Sequence, residues 1–233
     1  MPDSQSDRPA PEAPVRRDSL PHEGVTRSTS RMEAYSDAVF AIAFTLPIVE
    51  IELPKGSAPL AQQLAEQWPD YLGYGLAVLI IGIYWTHHHY SGGITRTSGH
   101  WFNIALTLFL AAVGFIAYPA RLFAERLADP AQRSTAGVFL AVSLAGLAAA
   151  WWVKWTTGFA KGHLDSRLDP GFVRRIQRRY NVSLLVNLAA AALAFVSWPL
   201  GLGLAMAVLL FYLVPPPTPI YRGKAPEVED GNE

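Results

Sequence analysis

The sequence predicts an all-α membrane protein, a bundle of six transmembrane helices per subunit. Three observations carry that reading. The 233-residue chain is 51% hydrophobic. Only 16% of it is charged, against about 25% in soluble domains. Its apolar residues fall in blocks, and a helix needs ~20 mostly apolar residues to cross a bilayer. The formal net charge is zero, so nothing points to nucleic acid. There are no cysteines, which excludes disulfides and thiolate metal sites.

The elements follow in order. Residues 1–30 hold five prolines, scattered charges and no apolar run, and read as a disordered N-terminal tail without the apolar core of a signal peptide. Residues 31–214 form the six-span domain, with charge-free stretches (histidine aside) marking the spans. The first lies between Asp37 and Glu50, extended by a turn at each end. The second lies between Asp70 and Arg96, the third between Arg96 and Arg121, and the fourth between Arg133 and Lys154. From Tyr180 to Tyr221 there is no charge, which is too long for one span and suits two short ones. Their break falls at "SWPLG", Ser197–Gly201, because Pro199 lacks a backbone donor. Residues 215–233, "PPPTPIYRGKAPEVEDGNE", read as a disordered C-terminal tail. No repeat of 20 to 50 residues is visible, and no two-fold repeat of three spans, which weakens an inverted-repeat transporter reading.

Lys and Arg set the orientation. With both termini cytoplasmic, the inner segments hold 15 of the 19 basic residues: five up to and including Arg31, one at Arg96, seven from Lys154 to Arg179 and two in the C-tail. The outer loops keep Lys55, Arg121, Arg126 and Arg133. The first outer loop sets Glu50, Glu52, Glu66 and Asp70 against Lys55, an acidic mouth that raises the local cation concentration.

The stretch "RMEAYSDAVFAIAFTLPIVEIELP", 31–54, puts charge at the head of a greasy helix. At 100° per residue, Ile42, Leu46 and Val49 share one narrow stripe, roughly 10 Å long, with Thr45 at its edge. Asp37 points about 140° away by the same arithmetic. A lipid-facing carboxylate is costly, so the polar head turns toward other helices. The competing reading makes the stripe ordinary packing and lets Arg31 and Asp37 snorkel to the headgroups.

"R-x-x-x-Y-S-D-x-x-x-A-I-x-x-T-L" resembles the signature of the bacterial relatives of the lysosomal transmembrane protein 175 potassium channel. Arg31, Ser36, Asp37, Ala41, Ile42, Thr45 and Leu46 match it, and Tyr35 stands where the family has phenylalanine. Trp85 and His88 in "IYWTHHHYSGG" resemble the family's Trp-x-x-His, and Asn103 in "HWFNIALTLF" resembles the start of its third helix. The resemblance covers residues 31 to 121 well. It implies a potassium-selective channel in the cell membrane, a homotetramer whose first helices line a central pore. It makes Ile42, Leu46 and Val49 stacked apolar rings, and Thr45 a hydroxyl ring that helps selectivity. It makes Arg31, Tyr35, Ser36, Asp37, Trp85, His88 and Asn103 an inner network buried between the first three helices. Apolar rings gate by dewetting. The expected partners are potassium ions and membrane lipids, with no cofactor, no metal and no catalytic residues.

Other signals are weaker. Gly73-Tyr74-Gly75 echoes the carbonyl filter of ordinary potassium channels, but Tyr-Leu precedes it and it opens a long span. His87, His88 and His89 are consecutive and splay 100° apart, unlike the i, i+4 spacing of helical metal ligands. A proton-sensitive inner network suits them better. "RRIQRRYN" at 174–181 reads as positive-inside anchoring with anionic lipid contact, and Trp151, Trp152 and Trp155 as an interfacial belt. The alternative function is a proton- or ion-coupled secondary transporter with Asp37 and His88 as relay. An integral-membrane enzyme is a further rival, but no nucleophile–base constellation supports it.

Overall fold

The structure, a computed structural model, describes residue 25 and residues 27–223. The expected disorder of 1–24 and 224–233 lies outside the described residues. Eight helices follow one another in the described chain: α1 (Ser30–Val49), α2 (Leu60–Glu66), α3 (Trp68–Gly93), α4 (His100–Phe115), α5 (Ala117–Arg126), α6 (Arg133–Ala160), α7 (Pro170–Ala194) and α8 (Trp198–Phe211). A two-residue strand β1 (Arg27–Ser28) pairs antiparallel with β2 (Thr97–Ser98).

Among the described residues three segments are long and apolar enough to cross a membrane: α1, the run His100–Arg126 through α4 and α5, and α6. Helix α8 is apolar but shorter. Local chemistry sets the boundaries. Pro119 has no N–H for the carbonyl of Phe115, and the helix breaks between α4 and α5 at Ile116. Helix α7 opens with Pro170 in its first turn and Asp169 as its cap, whose Oδ2 accepts from the Phe172 N–H at 2.9 Å. Pro199 lies in the first turn of α8, after the Ser197 cap, where the sequence places the break. Gly201 is required there. A Cβ at this position would collide with the backbone of Ala190 and Ala194 on α7.

The core is built around α4 and α6, with Phe109, Val113, Ile116, Leu140 and Leu147 fully enclosed. Helix α1 leans on α3 and α4 through Phe40 and Ala43. Helices α7 and α8 pack on the other side, against α6 and each other.

Several expectations change. Helix α6 does not stop at Lys154 but runs on to Ala160, and Lys154 is only 2% exposed, inside the bundle instead of in a basic loop. Helix α7 starts before the basic run, so Arg174, Arg175, Arg178 and Arg179 are helical. Trp151 and Trp155 are core residues, not an interfacial belt; Trp155 Nε1 donates to Gln177 Oε1 at 2.8 Å. Gly73–Gly75 lies within α3, where helix bonding occupies its carbonyls. A Cβ on Gly73 would sit 3.0 Å from Arg121 Cα, so that glycine serves the α3–α5 approach.

Residues 215–223, expected to be unstructured, are held. Tyr90 Oη donates to Pro217 O at 2.6 Å, and Asp169 N to Ile220 O at 2.8 Å. Arg222 N donates to Arg167 O at 2.7 Å. The segment closes the same end of the bundle as Ile94–Ser98 and His163–Asp169, where Arg96 N donates to His163 O at 2.8 Å and Asp165 N to Ile94 O at 2.9 Å. The Asp165 carboxylate, its side chain 3% exposed, sits between Arg167 Nη2 at 2.8 Å and Arg96 Nε at 2.9 Å. Arg167, and then Arg96, hold its carboxyl well below the usual carboxylate range.

Candidate functional site

Helix α1 is the least covered of the three apolar segments. Of its most apolar stretch 17% is buried, against 39% in α4–α5 and 56% in α6. Ile42 is 57% exposed, Leu46 55% and Val49 71%. Within one chain the stripe is more open than covered. Ile42 and Leu46 also border an open cleft of about 430 Å³, shared with Tyr74 and Tyr118.

Thr45 is exposed on the same helix, and its Oγ1 donates to Ala41 O at 2.8 Å and Ile42 O at 3.2 Å. Its proton is turned to the backbone, which leaves the oxygen lone pairs facing outward. A hydroxyl in that state presents an acceptor, the form that suits a cation. Pro47 lies between Leu46 and Val49 and lacks the N–H that would serve the carbonyl of Ala43.

The inner network divides into parts. Ser36 is fully buried and donates to Met32 O at 2.9 Å. Asp37 is exposed, not buried, and its Oδ1 accepts from Trp85 Nε1 of α3 at 3.2 Å. Trp85, 44% exposed, stacks on His89 at 5.8 Å. Arg31, Tyr35 and Asn103 are exposed around a shallow cleft between α1 and α4.

His88, like Ser36, is buried. Its ring stacks on Phe40 of α1 at 5.5 Å and lies 5.9 Å from Phe109 of α4. Lys154 Nζ of α6 stands 3.0 Å from His88 Nδ1 and donates to Ser91 Oγ at 2.9 Å. An ammonium can only donate; with Lys154 in that form, Nδ1 accepts and the ring proton lies on Nε2. The amine also lies 4.0 Å from the Trp151 ring centroid, a cation–π distance. Sequence reasoning missed this lysine, because a charge near a span's end looks the same whether it snorkels or turns inward. His87 instead donates from Nε2 to Tyr212 O at 2.8 Å, so the three histidines serve three different neighbours.

At the other end of α1, Arg121 of α5 holds Glu50 and Glu125, and Lys55 holds Glu52 at 2.7 Å. Two of the four acids expected at the mouth, Glu50 and Glu52, are thus ion-paired.

Fold and site together define a helical membrane protein with one apolar, hydroxyl-bearing helix uncovered at its edge. Residues 31–117 match the family model described as the endosomal/lysosomal potassium channel TMEM175. A potassium channel of Streptomyces collinus is 33% identical over 196 residues, covering 82% of this chain and 95% of that one. A potassium channel of Chamaesiphon minutus is 31% identical over 189 residues, covering 79% and 93%. The crystal structure of a lysosomal potassium-selective channel TMEM175 homolog from Chamaesiphon minutus superposes with a TM-score of 0.68 at 29% identity, covering 80% of this chain and 96% of that one. The chain belongs to the TMEM175 family.

Proposed function

We propose that the protein is a potassium-preferring passive cation channel of the cell membrane. Its subunit crosses the membrane six times, through α1, α3, α4–α5, α6, α7 and α8, with both termini cytoplasmic. Four subunits surround a pore lined by α1. Ile42, Leu46 and Val49 form three apolar rings, and Thr45 offers a ring of hydroxyl oxygens beside them. The observation that carries this reading is the uncovered face of α1. A helix with its stripe and its Asp37–Trp85 edge both open needs neighbours on two sides. A ring of like subunits supplies them and leaves the stripe facing a central axis. The family and the relatives named potassium channels support the permeant ion.

Apolar rings cannot coordinate an ion. They demand partial dehydration, which costs less for potassium than for the smaller sodium ion. The Thr45 oxygens replace part of the lost water. Selectivity is then moderate, short of a carbonyl cage. The coupled-transporter alternative is not favoured: Asp37 faces Trp85 while His88 faces Lys154, so the two relay residues have separate partners.

The absence of native cysteines makes the test clean. Ile42→Cys, Leu46→Cys and Val49→Cys are each exposed to a charged, water-soluble thiol reagent during current recording. The pore assignment predicts block at all three positions and none at Ala43→Cys on the packed face. Equal insensitivity at the three stripe positions contradicts it.

A further inference from the structure

Helices α7 and α8 enclose a groove of about 560 Å³ on the side of the bundle away from α1. Its residues on α7 recur at one-face spacing: Arg175, Arg178, Arg179, Val182 and Val186. The opposite face of α7 is committed to α6, where Gln177 and Asn181 accept from Trp155 and Trp152. The groove is therefore a surface left over by the fold, charged at one end and, apart from Ser183 and the Tyr212 hydroxyl, apolar along the rest. Among the described residues no acidic side chain lines it.

Arg179 makes this groove more than a basic patch. Its guanidinium lies 4.9 Å from the ring centroids of both Phe211 and Tyr212. Its Nε and Nη2 are buried and have no hydrogen-bond partner among the described residues. Arginine stays charged, and buried N–H groups on a cation are costly unless an acceptor meets them. Phosphate oxygens match the guanidinium fork. The depth of the groove selects among phosphates. Arg175 to Val186 spans about 16 Å of helix, close to half of a ~30 Å hydrocarbon core. A free phosphate fills only the charged end, whereas a phospholipid fills both.

We infer that the α7–α8 groove binds an anionic phospholipid, its phosphate on Arg175, Arg178 and Arg179 and an acyl chain along Val182, Val186 and Val208. The inference rests on the reading of α7 and α8 as membrane-crossing helices and is independent of what the pore conducts.

The test is native mass spectrometry of the delipidated full-length protein, titrated with phosphatidylglycerol, phosphatidylcholine or inorganic phosphate. Phosphatidylglycerol should bind tightest, and phosphate at equal concentration should not displace it. Arg179→Gln, and the pair Arg175→Gln/Arg178→Gln, should each weaken it by about fivefold or more per arginine. Arg174→Gln, exposed and outside the groove lining, should leave it unchanged. Val186→Trp should exclude the lipid by filling the groove with every charge kept, which decides the matter even where Arg179→Gln misfolds. Equal binding of the two lipids, displacement by phosphate, equal sensitivity to Arg174→Gln, or full binding to Val186→Trp each overturns the inference. Potassium current recorded on the same proteins separates the two claims. A wild type that passes potassium current but binds no phosphatidylglycerol counts only against the groove, and one that binds it but passes no current counts only against the conduction reading.

Discussion

Replacing Ile42 by asparagine tests the apolar constriction at low structural cost. Ile42 is 57% exposed, so 43% of it is covered by its own subunit. Full burial of an isoleucine is worth about 1.5–3 kcal/mol, so Ile42→Asn gives up about 0.6–1.3 kcal/mol per subunit on the same scale. Domains have about 5–15 kcal/mol to spare, so the variant should fold and assemble. Its effect on the pore should be larger. Four amides in one ring offer water hydrogen bonds that four isoleucines cannot, and the bore stays wet more of the time. Each kcal/mol removed from that barrier raises the rate about fivefold. Leu46 and Val49 remain apolar, so the gain should be several-fold and not unlimited. The assay is single-channel recording in planar bilayers, paired with size-exclusion chromatography of the same sample. Stable assemblies with wild-type current would refute the pore assignment of this stripe.

Other expectations follow from the same geometry. Thr45→Ala and the near-isosteric Thr45→Val should both lower the potassium-to-sodium preference and leave assembly intact; if bi-ionic reversal potentials keep the wild-type ratio in both, the hydroxyl serves only the Ala41 carbonyl. Asp37→Ala leaves Trp85 Nε1 without its acceptor, at about 1–3 kcal/mol where the pair becomes covered, and should yield monomers or lower oligomers in native mass spectrometry; normal assembly with altered selectivity would place Asp37 in the pore. Asp165 gives a pH signature. Its folded pKa lies below its unfolded one, so its stabilisation is complete above about pH 3.9 and is lost as pH falls through the lower, folded value. Wild type should therefore lose melting temperature on acidification below that point more steeply than Asp165→Asn, and parallel curves would show that the Arg167–Arg96 clamp contributes nothing.

Much of this molecule was legible in its sequence where local rules apply. Pro199 marks the α7–α8 break, because a missing N–H acts wherever the chain goes. The stripe of Ile42, Leu46 and Val49 follows from helical period alone, and all three side chains are exposed in the chain. Charge was the poorer guide. Lys154 looked like the end of a span, yet α6 continues past it, because His88, Ser91 and the Trp151 ring receive the amine from another part of the chain. The tryptophans near it were misplaced for the same reason: their partners on α7 lie more than twenty residues away. Residues 215–223 have no apolar period of their own, and borrow their order from backbone groups around Asp169. Asp37 shows the reverse case. Its Oδ1 does meet Trp85 of α3, but Asp37 is exposed within the chain, where the resemblance implies burial.

The central claim, passive and potassium-preferring conduction, is tested most directly by one recording. Purified protein is placed in a planar bilayer with a potassium gradient across it and no other transported solute, and then with potassium on one side and sodium on the other. The account predicts unitary currents that reverse near the potassium equilibrium potential in the first condition. In the second it predicts a reversal potential shifted in favour of potassium, moderately. Currents absent without a proton or sodium gradient, or a reversal potential at zero in the second condition, would contradict it.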